Sequence, residues 1–407
     1  METAIFTAAL LILCLGRPQL RYALPADGSH MSHDRTMMIN GLFMVLIILK
    51  HLCEHTGYIP QWPDTVFRAI AVDPLDQFVV STFFFFSGYG IMSSIERKGK
   101  AYLRELLSRR FTRLYFNYAV ALLIMAAINS TFRYSPVMAL RYFWTNVTSP
   151  EGCWFIFNTL VLYLFTWVSF KLFTPARPWR AICLISALTL ACCLALIPIR
   201  PEYELTTELC FPAGAAYCLL SRRIDAALRR IPALPLGAAA IAVAVCVQGY
   251  IIKATWHPPI ADTLYPCADC LRIAGKQVLA ILFSLGVAWL FAAFSWKKVP
   301  RPLTWLGGTV VFSAYVFQFV PIRLLQYWGF HNFSQPLYVL AAFLGIIFMA
   351  WAGHAILSRL DARIWKSRPR PSMGETLSDK MAGDTHPSAG PCPSRRACEP
   401  CNSQRNP

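Results

Sequence analysis

The stretch QFVVSTFFFFSGYGIMSSIERKGK, residues 77–100, decides the fold. Residues 77–95 carry no charge. As a helix rising 1.5 Å per residue they would cover about 28 Å, close to a hydrocarbon core of about 30 Å. Arg97, Lys98 and Lys100 follow at once, the arrangement of a membrane span leaving the bilayer on its basic side. Similar apolar blocks run over 3–16, 36–53, 111–129, 153–174, 181–198, 205–220, 233–252, 273–294, 303–325 and 337–357. With 56% hydrophobic and 14% charged residues, the chain departs from soluble domains, which average roughly 45–50% and 25%. The expectation is an all-α polytopic membrane protein of about eleven spans.

The net charge of +17 is explained by where the cations fall. The 96–110 connection carries Arg97, Lys98, Lys100, Arg104, Arg109 and Arg110, and the 221–232 connection carries Arg222, Arg223, Arg229 and Arg230. Lys297, Lys298 and Arg301 occupy 295–302, and Arg359, Arg363, Lys366, Arg368 and Arg370 follow the last span. The intervening connections are poor in cations: 54–76 has Arg68 against Glu54, Asp64, Asp73 and Asp76, and 326–336 has none. Short cytoplasmic loops are the ones enriched in Lys and Arg. This alternation puts the basic connections and the C-terminus in the cytoplasm and accounts for the charge without a nucleic-acid partner.

Residues 1–34 are read as a first span, with a signal-like segment as the alternative, and a cytoplasmic linker. Residues 35–360 form the transmembrane domain. The Pro- and Ser-rich 361–407 reads as a disordered basic cytoplasmic tail. Most of the fourteen cysteines lie in apolar blocks, where free Cys behaves as a small hydrophobe. Cys267 and Cys270 could pair on the far side. No metal site is expected.

Polar residues near or within spans mark candidate chemistry. His51, Glu54 and His55 share a helix face at the far end of the second block. One reading is a histidine acting as general base or acyl acceptor beside a carboxylate. The other is an ordinary interfacial helix end. Arg109, Arg110 and Arg113 sit at the basic mouth of the fourth block, where guanidinium forks suit phosphate; anchoring by the basic side explains them as well. Ser87-Gly88-Tyr89 permits close helix approach. Glu208, Lys276 and Arg323 lie in or beside apolar blocks, which would suit a transporter.

Four features in order give the chain its family likeness: Asn40-Gly41-Leu42-Phe43 with His51, the Phe-rich Ser87-Gly88-Tyr89 span, Tyr102 with Arg109-Arg110-Phe111-Thr112-Arg113, and Leu306-Gly307-Gly308 with Tyr315 and Gln318. Trp154-Phe155 and Phe211 with Gly214 are weaker echoes. Over roughly 35–360 the sequence resembles the acyltransferase 3 family. The resemblance implies a ten-span core, here with one extra N-terminal span, in the cell inner membrane. It implies transfer of an acyl group, commonly acetyl, from cytoplasmic acetyl-CoA or another acyl-CoA to a hydroxyl of an envelope glycan such as a polysaccharide. By that likeness His51, with Glu54, is the catalytic pair, and Arg110, Arg113 and the Asn40 position serve the donor. Ser87, Gly88, Tyr89, Trp154, Tyr315 and Gln318 are substrate or packing positions. The sequence departs from the family in having Asn40 where Arg or Lys is usual, Phe116 where Pro is usual, and Gln318 at the late histidine. The rivals are a transporter or exporter of a glycan or acyl species without transferase chemistry, and a different O-acyltransferase family using His354.

Overall fold

The computed structural model describes residues 18–20, 29–55, 75–132, 135–148, 154–228, 230–255, 265–296, 298–330 and 335–365. Nearly all are helical: α1 His33–His55, α2 Asp76–Lys98, α3 Lys100–Glu105, α4 Thr112–Phe132, α5 Pro136–Thr148, α6 Trp154–Leu172, α7 Pro178–Leu196, α8 Cys210–Leu228, α9 Ala233–Thr255, α10 Tyr265–Ala292, α11 Arg301–Thr304, α12 Val311–Phe317, α13 Phe319–Tyr327 and α14 Gln335–Ile364. Among the described residues the one sheet is a two-residue ladder, β1 Gln19–Leu20 antiparallel to β2 Phe294–Ser295. The expected first span, 3–16, and the tail from 366 lie outside the described residues, as does the side chain of Cys267; Cys270 is a free thiol.

Eight helices among the described residues are long and apolar enough to cross a bilayer, and the bent pair Arg301–Thr309 and Val311–Tyr327 forms either a broken ninth span or a re-entrant loop. The all-α polytopic reading holds, with local corrections. The 205–220 block yields α8, whose N-terminal Pro212 and C-terminal Arg222, Arg223 and Asp225 dilute its apolar content. The 303–325 block is broken at Val310 and bent by 69°. The 130–152 connection contains α5, too short to span and exposing Val137, Met138, Leu140 and Trp144 along its length, as an interfacial helix does.

Helices α1 and α2 are central, each with 67% of its apolar window buried, whereas α4 and α9 bury 22% and face outward. The core between α1, α2 and α10 is aromatic: Phe78 stacks on Phe283 at 5.1 Å, with Phe43 edge-on to the same ring at 6.0 Å. Ser81 and Ser284 share a hydrogen bond of 2.9 Å between α2 and α10. Helices α2 and α8 cross backbone to backbone. A Cβ on Gly88 would strike the Phe211 carbonyl, and one on Gly214 would strike the Phe85 carbonyl. Small residues drive such crossings because lipid offers helices no hydrophobic reason to associate.

Contacts between connections join segments that the charge pattern groups together. On the basic side, β1 pairs with β2, and His30 meets Asp225 at 3.7 Å. On the far side, Trp154 meets Tyr203, and Glu202 meets Arg272 and Lys276. Compact unit one ends at Leu360; of the second unit, from Asp361, the described part is the end of α14 and Trp365.

Candidate functional site

The predicted histidine is fixed by how α1 lies along the broken helix. A Cβ on Gly41 would collide with the Leu303 carbonyl, and one on Gly307 with the Met37 carbonyl and the Gly41 amide. Glycine at both positions sets the register of α1 on 301–309. Asn40 therefore sits at Gly307, and its buried Oδ1 has no hydrogen-bond partner among the described residues. Three turns later the His51 ring lies 4.8 Å from that of Phe319, tilted by 58°. The Arg323 guanidinium carbon stands 5.6 Å from the same Phe319 ring. Gln318, 1% exposed, donates from Nε2 to the Tyr315 carbonyl at 2.9 Å, leaving its buried Oε1 without a described partner. His51 thus meets the residue that follows Gln318, where α12 gives way to α13. Glu54 lies in the last turn of α1 with its side chain outside the described residues.

Arg110 and Arg113 stand at the opposite end of the fold. The run 100–132 is one helical rod with a π-helical turn over Leu106–Phe111, where the Thr112 hydroxyl donates to the Leu107 carbonyl at 2.8 Å. A second π turn covers Trp305–Thr309. Such turns concentrate at functional segments, and nothing in the apolar periodicity announced either. Arg110 is exposed and lies over the Tyr102 ring at 5.3 Å; Arg113 is exposed; Arg109 pairs with Glu105 at 3.4 Å. His51 lies eighteen residues along α1 from His33, so about 27 Å of helix separates the α1 start from the histidine.

The remaining predicted positions divide. Gly88 is a packing residue at the α2–α8 crossing, with Ser87 half-buried beside it. The Tyr89 ring is 6.3 Å from Tyr217, whose hydroxyl donates to Asp225 Oδ1 at 3.2 Å and lies 3.2 Å from His30 Nε2. Trp154 meets Phe155 at 6.3 Å, and Phe155 meets Tyr315 at 5.6 Å, joining the start of α6 to the broken helix. His354 is half-buried on α14.

A far-side polar cluster was only partly visible in the sequence. Asn158 Nδ2 donates to Glu208 Oε1 and to the Glu204 carbonyl, both at 2.8 Å. Gln277 Nε2 donates to Glu208 Oε2 at 3.0 Å and to the Leu205 carbonyl at 2.8 Å. Glu208 and Lys276 stand out in the sequence as charges among apolar residues; Asn158 and Gln277 are neutral amides with no such signal. No group of three or more candidate metal ligands occurs among the described residues.

The chain matches the family described as an acyltransferase domain over residues 39–355, a segment that contains His51, Arg110, Arg113 and Gln318. Comparison with curated proteins and with solved structures finds no match. The match covers most of the chain and every helix that positions the candidate site: this membrane protein belongs to the acyltransferase 3 family.

Proposed function

We propose that the protein is an integral inner-membrane O-acyltransferase carrying an acyl group, acetyl by expectation, from a cytoplasmic acyl-CoA to a hydroxyl of an extracytoplasmic glycan. The observation that carries this reading is the placement of His51 against the broken helix at Phe319, with Arg323 on the same ring, while Arg110 and Arg113 stand at the basic end. A donor with phosphates at one end and a thioester on a long arm suits that separation. The exposed guanidinium forks hold the phosphates, and the arm reaches toward His51.

At the far end, the His51 imidazole serves in one of two ways. As a base it takes the acceptor hydroxyl proton while that oxygen attacks the thioester carbonyl and the CoA thiolate leaves. As a nucleophile it first attacks the thioester carbonyl, releasing CoA, and the acceptor hydroxyl then takes the acyl group as the C–N bond breaks and its proton passes to the freed imidazole. Arg323, over the Phe319 ring that also meets His51, would supply a donor for the developing oxyanion. A rapid denaturing quench near neutral pH with radiolabelled donor separates the routes: a labelled protein that loses label to hydroxylamine marks the second.

Wild type and His51→Ala expressed at matched levels in a null strain are to be compared for ester-linked acetate on the surface glycan. Loss of ester in the variant is expected; equal ester in both sinks the assignment. Replacing Arg110 or Arg113 by Ala should raise the KM for acyl-CoA by about tenfold, as expected for one lost charge-assisted phosphate contact. A transporter is the second reading, favoured by the 69° bend in 301–327, since broken helices build transporter sites. Label crossing the membrane without ester formation would establish it.

A further inference from the structure

We propose that Trp154, Tyr203 and the trio Glu202–Arg272–Lys276 form the far-side surface that receives a pyranose unit of the acceptor; this rests on the acyl-transfer reading above. The surface is built on a rigid support. The 202–209 segment is tied to α6 by Asn158 and to α10 by Gln277, whose Oε1 also accepts from the Leu209 amide at 2.9 Å. Beneath it, Glu208, 4% exposed, accepts from Asn158, from Gln277 and from the Thr207 amide at 3.0 Å. That carboxylate is fully engaged in holding the segment.

Above this support the chemistry turns outward. The Glu202 carboxylate takes Lys276 Nζ at 2.7 Å on one oxygen and Arg272 Nη2 at 3.0 Å on the other, and all three side chains are partly exposed. The next residue, Tyr203, is 44% exposed, its ring edge-on to Trp154 at 6.2 Å. A pyranose ring has an apolar C–H face and a rim of hydroxyls. An aromatic pair matches the face, and a carboxylate held between two cations offers the rim both acceptors and donors, the combination by which apolar sites fix a polar ligand. Aromatic rings that merely mark the bilayer interface do not call for an ion trio on the adjoining residue.

The surface also leads to the histidine. From Tyr203 the rings run through Trp154 and Phe155 to Tyr315; Tyr315 takes the Gln318 hydrogen bond, and the following residue, Phe319, meets His51.

The test uses the full-length protein in detergent without acyl donor, titrated with chitotetraose and with tetragalacturonate. Saturable binding of at least one saccharide is expected. Tyr203→Ala and Trp154→Ala should weaken it about tenfold, the scale of one lost ring contact, and Tyr203→Phe should restore it to within about twofold. Where Tyr203→Ala fails to fold, Tyr203→Leu keeps apolar volume without a ring and should show the same loss. Absence of binding by both saccharides overturns the proposal. So does unchanged binding in the ringless variants at wild-type melting temperature, or a loss that Tyr203→Phe does not restore. Because no acyl donor is present, failure here leaves the His51 reading to its own ester assay, and binding without ester formation would fail that reading alone.

Discussion

Asn40 and Gln318 are two amides at positions where the family resemblance leads one to expect a cation and a histidine, and each has a buried carbonyl oxygen without a described partner. Leaving a buried acceptor unmade costs about 1–3 kcal/mol, so neither is an optimised packing residue. Replacing Asn40 with Arg supplies a cation on the face of α1 that leads to His51. The expected result is a KM for acyl-CoA about threefold or more lower, with the gain shrinking as salt is raised because the added attraction is screened. Steady-state kinetics at two ionic strengths checks this. His51 was legible because a histidine at that spacing ends an apolar block. Its partner was not: Phe319 is one of many aromatic residues in the sequence, and only the register set by Gly41 and Gly307 brings it to the imidazole.

The elements were legible wherever a long uncharged block met a basic connection, and less so where backbone geometry departs from a plain helix. The break at Val310, the π turns and interfacial α5 depend on packing that a hydropathy pattern does not carry. The Ser87-Gly88-Tyr89 motif left substrate contact and packing equally open, and the reciprocal crossing at Phe211 and Phe85 assigns Gly88 to packing. A methyl at either Gly88 or Gly214 would meet a backbone carbonyl, which cannot rotate away as a side chain can. Gly88→Ala and Gly214→Ala should each destabilise the protein by about 1–3 kcal/mol, the range for overpacking. This would be read as a lowered melting temperature in detergent. A wild-type melting temperature in both would contradict the crossing.

For the whole molecule, the charge alternation sorts the connections into a basic and a cation-poor set, but contacts between distant connections could not be read from one sequence. His30, which precedes the matched region, is buried against Tyr217 and Asp225, 187 residues away along the chain in the case of Tyr217. Arg35 lies over the Trp296 ring at 5.9 Å. Asp225 lies beyond the seventh apolar block, in the 221–232 connection. Burial holds its carboxyl above the ordinary range, outweighing the Tyr217 hydrogen bond, which pulls the other way. A raised folded-state value means that the fold favours the protonated form, so this contribution is present in acid and lost as pH rises. Asp225→Asn should therefore raise the melting temperature at pH 7.5, and the difference should vanish below the unfolded carboxylate value, about pH 4. Melting curves of both proteins across that range check the sign.

The 69° bend in 301–327 is splinted by α1 at two fastenings of different kinds. Below the bend, Gly41 and Gly307 press main chain on main chain, a joint that no rotamer change can loosen. Above it, α1 holds the other arm through the ring contact of His51 with Phe319, which a turn about one side-chain bond undoes. The residue assigned to the chemistry is thus also one of the contacts between α1 and the upper arm. The upper arm is also held from α14, where Tyr338 donates to the Ile322 carbonyl at 3.4 Å and Gly345 packs on Pro321, so the bend is braced on two sides.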